Sequence, residues 1–285
     1  MRRQDIVVTL FYWLGYSRIR NWILRCQRKP AATMVTFHDI SPEALKRFEA
    51  NLRFLKRRTN VVSLDDFFCG RLSSAKTNVV ITFDDGYKSW TAHAVPILKE
   101  LGLPATFFVS SGFIGLSRDD ETEFMRSRLY LKLDSGSTTG GLNEDDVRKF
   151  VEEGFAVGGH TVNHCNLAEI DDSVQLRYEI LEDKVRLERI IGGRIQYFAY
   201  PGGSHHNPTI DISELLRECG YLGAVTTESG LNTDKSNQYL LRRELTRASM
   251  HGPVFRARVY GNYTAVWFLK KQLGTIVQRF LTRGR

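Results

Sequence analysis

Short apolar runs alternate with amphipathic helical stretches along this chain, and that alternation constrains its fold more than any other feature. Residues 33–37, 61–64, 78–83, 105–109, 155–158, 196–200 and 221–226 read as buried strands. Helical spacing covers residues 42–56, where Leu45, Phe48, Leu52 and Leu55 share one face. It recurs over 88–101, 144–153, 173–191 and 208–218. Strand-then-helix repetition predicts a parallel sheet with crossover helices, α/β in class. Residues 115–143 lose periodicity and read as an excursion over one face. With no internal repeat and no flexible linker, a single domain over 31–262 is expected.

The polar residues with chemical potential fall just after strand ends: His38, Asp84, Asp85, His160 and Tyr200. In a (β/α) barrel that end carries the active site.

Asp84 and Asp85 close the run Ile81-Thr82-Phe83-Asp84-Asp85-Gly86. Successive strand side chains point to opposite faces, so two adjacent acids can serve two partners, such as a metal and a water. Gly86 permits the sharp turn that follows. Taken alone, Asp-Asp-Gly is also an ordinary solvated turn.

The second element is Gly158-Gly159-His160-Thr161-Val162-Asn163-His164. Histidines at i and i+4 share a face if the segment makes a helical turn, and both imidazoles then reach one ion. Two unrelated surface histidines are the plain alternative. One Asp with two His makes a triad that leaves positions open for water and substrate. The ion polarises a carbonyl and acidifies its water, and the other Asp takes the proton. That chemistry hydrolyses an amide or ester.

Thr82-Phe83-Asp84-Asp85-Gly86, His160-Thr161-Val162-Asn163-His164 and Phe198-Ala199-Tyr200-Pro201-Gly202-Gly203 resemble, in order and approximate spacing, the first three motifs of the polysaccharide deacetylase family, carbohydrate esterase family 4. The resemblance runs from about residue 33 to 260. It implies a distorted (β/α) barrel and a divalent metal, usually zinc. It implies Asp85, His160 and His164 as ligands and Asp84 as general base. Tyr200, with Pro201 and Gly202, would border the substrate and oxyanion, the Tyr200 N–H helping to hold the oxyanion. The implied reaction removes N-acetyl groups from a polysaccharide or glycan precursor. A small non-sugar amide substrate, or a non-catalytic carbohydrate-binding relative, are the alternatives; an intact Asp84/Asp85/His160/His164 set speaks against the latter.

Two departures from the common family pattern stand out. Ala199 occupies the place of an arginine that braces the base, and Arg243 and Arg247 are candidates to replace it. The late stretch Leu240-Leu241-Arg242-Arg243-Glu244-Leu245 lacks the usual catalytic-acid histidine. A subgroup with Phe-Ala-Tyr-Pro as third motif resembles this chain more closely, and there an early strand-end histidine is the acid. Val35-Thr36-Phe37-His38 matches it, so His38 is the expected acid and His251 its rival. Asp39, His205 and His206 are weaker candidates for lining the substrate cleft.

Net charge is +8, unevenly placed. Residues 1–30 hold seven Lys/Arg and one acid, and residues 253–285 hold seven and no acid, which leaves 31–252 at net −5. An acidic middle argues against a nucleic-acid-binding core. The two basic, partly amphipathic flanks, 1–30 and 263–285, suit peripheral contact with an anionic membrane, or a helix docked with its basic face in water. No apolar run approaches the ~18–20 residues of a membrane span. No cleavage site follows the apolar stretch at 6–14, so a cytoplasmic location, in part at the membrane surface, is expected. The four cysteines show no paired spacing and read as free thiols, Cys165 as packing.

Overall fold

The computed structural model describes residues 30–129, 140–203 and 205–262. The expectations for the basic flanks fall on residues 1–29 and 263–285, outside the described residues. No helix among the described residues is long and apolar enough to cross a membrane.

Eight strands pair in parallel: β1 (Ala32–Phe37), β2 (Asn60–Val61), β3 (Asn78–Phe83), β4 (Thr106–Val109), β5 (Ala156–Gly159), β6 (Tyr197–Ala199), β7 (Gly223–Val225) and β8 (Arg243–Leu245). Their order is β7-β6-β5-β4-β3-β1-β8, with β2 also on β3. A parallel bridge from Val225 to Leu241, supported by Thr226 N–H donating to the Leu241 carbonyl, draws β7 toward β8. The sheet thereby nearly closes into a barrel, as expected.

Helices α1 (Leu45–Arg58), α2 (Leu64–Phe68), α3 (Val95–Leu101), α4 (Arg118–Ser127), α5 (Glu144–Glu152), α6 (Ser173–Ile191) and α7 (Ile212–Glu218) lie between strands, and α8 (Gly252–Val259) follows the last one. Their ends follow local chemistry. Ser63 with Asp66, and Asn143 with Asp146, form capping boxes at α2 and α5. Helices α3 and α6 stop at Gly102 and Gly192, both left-handed, where a Cβ would cost energy.

Strand side chains divide by parity. Ala32, Met34, Val80, Phe108, Tyr197, Ala199 and Val225 form one cluster, the barrel filling. The alternate residues Val35, Phe37, Ile81, Phe83, Phe107 and Phe198 join the larger cluster under the helices. Phe107 stacks on Phe83 at 4.8 Å and on Phe150 of α5 at 4.4 Å. Truncating such a ring typically costs ~3–5 kcal/mol.

Three sequence readings change. Residues 115–143 are not only irregular: α4 forms there, capped by the Ser117 hydroxyl and led by Asp119, Asp120 and Glu121. It buries only Phe124 and Met125, too few to make a period. The stretch at 240–245 contains β8, three residues long, and α8 follows it. The His160–His164 segment is not a helical turn but an irregular loop, with Thr161 (φ 64°) and His164 (φ 50°) in the left-handed region.

Candidate active site

Parity explains where the acids point. Asp84 continues the inward face of β3, after Val80 and Thr82, and enters the barrel mouth. It is 2% exposed. Arg243 approaches from the inward face of β8 and is completely buried. Its Nη1 donates to Asp84 Oδ1 and its Nη2 to Oδ2, each at 2.6 Å. The same guanidinium donates to the hydroxyls of Thr36 and Thr82 and, through Nε, to the Thr226 carbonyl. Burial works against an ionised Asp84; Arg243, with His160 and His38 nearby, outweighs it and holds the carboxyl below its usual range. A two-point arginine grip is the strongest way to orient a buried carboxylate. Of the two candidates for the missing brace, Arg243 fills it. Arg247 does not; it lines the cleft beyond.

Asp85 sits one residue further, at φ 94°, a conformation costly for a non-glycine residue. Its Oδ1 lies 3.4 Å from His160 Nε2 and 3.2 Å from His164 Nε2. Two ligands about 2.0–2.1 Å from one ion at tetrahedral angles stand about 3.3 Å apart. The three atoms therefore fit a single divalent cation, and among the described residues this is the one His/Cys/Asp/Glu cluster that does. The imidazoles are set for it. His160 Nδ1 lies 2.6 Å from the Ala199 carbonyl, and His164 Nδ1 lies 2.9 Å from the Arg128 carbonyl. A carbonyl accepts only from N–H, so each ring donates through Nδ1 and turns its Nε2 toward Asp85, where a cation could take it.

The loop between the histidines hangs from α6. Asp183 Oδ2 accepts the His160 N–H and Oδ1 the Ser111 N–H, both at 2.8 Å. Glu179 accepts the backbone N–H and side-chain amide of Asn163, at 2.9 and 2.7 Å. The Ser110 hydroxyl donates to the His160 carbonyl. Glycines at 158 and 159 allow this closeness: a Cβ on Gly158 would meet the Phe108 ring at 2.4 Å, and one on Gly159 the Tyr221 hydroxyl at 2.4 Å. Sequence reasoning passed over Asp183, Glu179 and the Arg128 carbonyl. The one available signal was two acids four apart on the inner face of a long amphipathic helix.

The remaining expectations divide. His38 lines a cleft of about 460 Å³ together with Asp84, Asp85, His160, His164 and Gly202. His251 is exposed at the N-cap of α8 and is not part of that lining. The role expected of Tyr200 needs correction. Its N–H donates to the Val225 carbonyl at 3.1 Å, continuing the ladder, and its hydroxyl donates to the Tyr239 carbonyl. That amide is spent, so it cannot hold an oxyanion. Pro201 is buried; Gly202 alone of this trio reaches the cleft. His205 and His206 border a separate groove with Asp211 and Arg217. Asp39 accepts a hydrogen bond from the Ser89 hydroxyl outside the cleft lining. Cys165 packs against the core, and burial pushes its thiol up to about 12, consistent with an inert thiol.

Known proteins share this arrangement of strands. The chain is 26% identical to YxkH of Bacillus subtilis (strain 168) over 181 residues, 64% of this chain and 56% of that one. It spans about half the length of the curated relatives it matches. The fold superposes on the Streptococcus pyogenes deacetylase PplD, solved with acetate, with a TM-score of 0.64 and 21% identity, covering 81% of this chain and 99% of that one. It also superposes on IcaB from Ammonifex degensii, with a TM-score of 0.60 and 21% identity, covering 82% and 98%. The polysaccharide deacetylase family profile matches residues 72–223, more than half of the sequence, and the chain belongs to that family.

Proposed function

We propose that this protein is a metal-dependent hydrolase that removes N-acetyl groups from a carbohydrate, a polysaccharide or a glycan precursor. One observation carries the reading: Asp84, kept ionised by Arg243, opens onto the same cleft as the Asp85–His160–His164 cluster and His38.

Asp85, His160 and His164 would hold the cation, zinc by the nitrogen-rich donor set. Such an ion supplies polarisation of the acetyl carbonyl and an acidified water. Asp84 would take a proton from the attacking water as the water oxygen adds to the carbonyl carbon. Arg243 keeps the base ionised and aimed, and the Thr36 and Thr82 hydroxyls fix the guanidinium in turn. As the carbon–nitrogen bond breaks, His38 protonates the departing amine. The products are acetate and a free amino sugar. General acid and base roles of this kind each contribute typically 10²–10⁴-fold.

The test is acetate release from N-acetylated oligosaccharides, abolished by a chelator and restored by zinc. Turnover of a small non-sugar amide with none of the oligosaccharides would assign the same chemistry to another substrate. Binding of oligosaccharide without acetate release would overturn the enzymatic reading.

A further inference from the structure

We propose that the cleft accepts an N-acetylated sugar carrying an anionic substituent, a carboxylate or a phosphate, and that Arg247 binds that group. The proposal rests on the deacetylase reading above and names its substrate class.

Arg247 lies just beyond β8, on the barrel end that carries the candidate ligands, and lines the cleft. Its backbone is pinned on both sides. The N–H and hydroxyl of Thr246 both donate to the Thr36 carbonyl, at 3.0 and 2.7 Å. Arg47 Nη1 donates to the Ser249 carbonyl and Asn51 Nδ2 to the Met250 carbonyl, at 3.2 and 3.0 Å. A loop held this firmly fixes where the Arg247 side chain leaves the backbone, at the edge of the cleft.

The guanidinium itself is exposed and has no hydrogen-bond or ion-pair partner among the described residues. The other charges of the cleft are committed. Asp84 is gripped by Arg243, and Asp85 faces the two histidines. Arg258, also in the lining, contacts the buried Glu244 at 3.3 Å. Nor does general basicity account for Arg247, since residues 31–252 are net acidic. A planar guanidinium with an open fork matches a carboxylate or a phosphate in two-point geometry. The neighbours Leu245 and Met250 offer no negative group in its place.

The experiment measures acetate release by the zinc-loaded full chain on three N-acetylated oligosaccharides of equal length. One is neutral, one contains a uronic acid, and one bears a phosphate. The expected result is a kcat/KM for one anionic substrate about tenfold or more above the neutral one, as a charge-assisted hydrogen bond supplies. The margin shrinks as salt is added. Arg247→Gln brings the ratio to about one, mainly through KM, and Arg247→Lys keeps part of it. The substrate that shows the margin identifies the anion. Equal turnover of all three, or a margin untouched by Arg247→Gln, overturns the anion site and leaves the deacetylase reading standing. No acetate from any of the three removes that reading, and this one with it.

Discussion

Arg243 grips both carboxylate oxygens of Asp84 across 159 positions of sequence, with each contact at 2.6 Å. The pair is buried, so its two members stand or fall together. Removing Arg243 leaves a buried charge without compensation, a loss of about 3–5 kcal/mol.

Arg243→Lys retains a charge but loses the fork, and a misaimed base costs on the order of 10²-fold in kcat. The pH dependence follows from the depressed Asp84 carboxyl. A depressed folded-state value contributes stability that is present above the unfolded value, near 4, and is lost as pH falls through the folded one. With lysine there the two-point hydrogen bonds are lost, burial is opposed less strongly, and the carboxyl rises. The acid limb of the pH–rate profile then moves to higher pH, and the stability gained above pH 4 diminishes. Rate profiles and denaturant titrations of Arg243→Lys across the acid range check both.

Asp84 and His160 separate by metal content. Asp84→Asn should lose about 10²–10⁴-fold in turnover while retaining one equivalent of zinc. His160→Ala should lose the metal itself. Elemental analysis of the purified variants beside their acetate release distinguishes them. Full activity in Asp84→Asn would show that another group takes the proton.

His38 and His251 offer a direct contrast, because only the first lines the cleft. His38→Gln should lower kcat by about 10²-fold or more. His251→Gln should leave it unchanged. The reverse pattern would exchange their roles.

Asp183 positions the metal loop without touching substrate. Asp183→Asn keeps the size but turns an amide N–H₂ toward the N–H of His160 or Ser111. Zinc affinity should fall about 10–100-fold, as for other groups that orient ligands. Burial pushes the Asp183 carboxyl up to about 7. From about pH 4 to 7 the folded chain therefore keeps a proton that the unfolded chain releases, and stability falls as pH rises through that window. In metal-free Asp183→Asn this slope should flatten, read by denaturant midpoints over the same range.

Much of the fold was legible because burial leaves a period in sequence. The 19 residues of α6 and the six-residue β1 and β3 carry enough apolar positions to show it. Helix α4 does not, with two buried side chains in ten residues, although its Ser117–Asp120 cap was a readable start signal. Strand β8 is too short for any pattern, and so Arg243 could be proposed as a brace but not located. The candidate ligands were legible as types at a spacing. Their conformation was not: left-handed values at Asp85, Thr161 and His164 are held by α6 and the neighbouring loops, through contacts far apart in sequence. Tyr200 misled for a related reason. Its motif marks a place beside the site, while its amide belongs to the strand ladder.

The contact between His160 and the Ala199 carbonyl bears on how substitutions at position 199 should be viewed. The methyl group there only fills the barrel interior. What serves the imidazole is the peptide oxygen, which every amino acid supplies equally. Side-chain identity at 199 is thus free to drift within the limits of volume, whereas any insertion or proline that rotated this peptide plane would release the ring. The third motif in this chain speaks to the site through its main chain, a contribution that comparison of letters alone does not register.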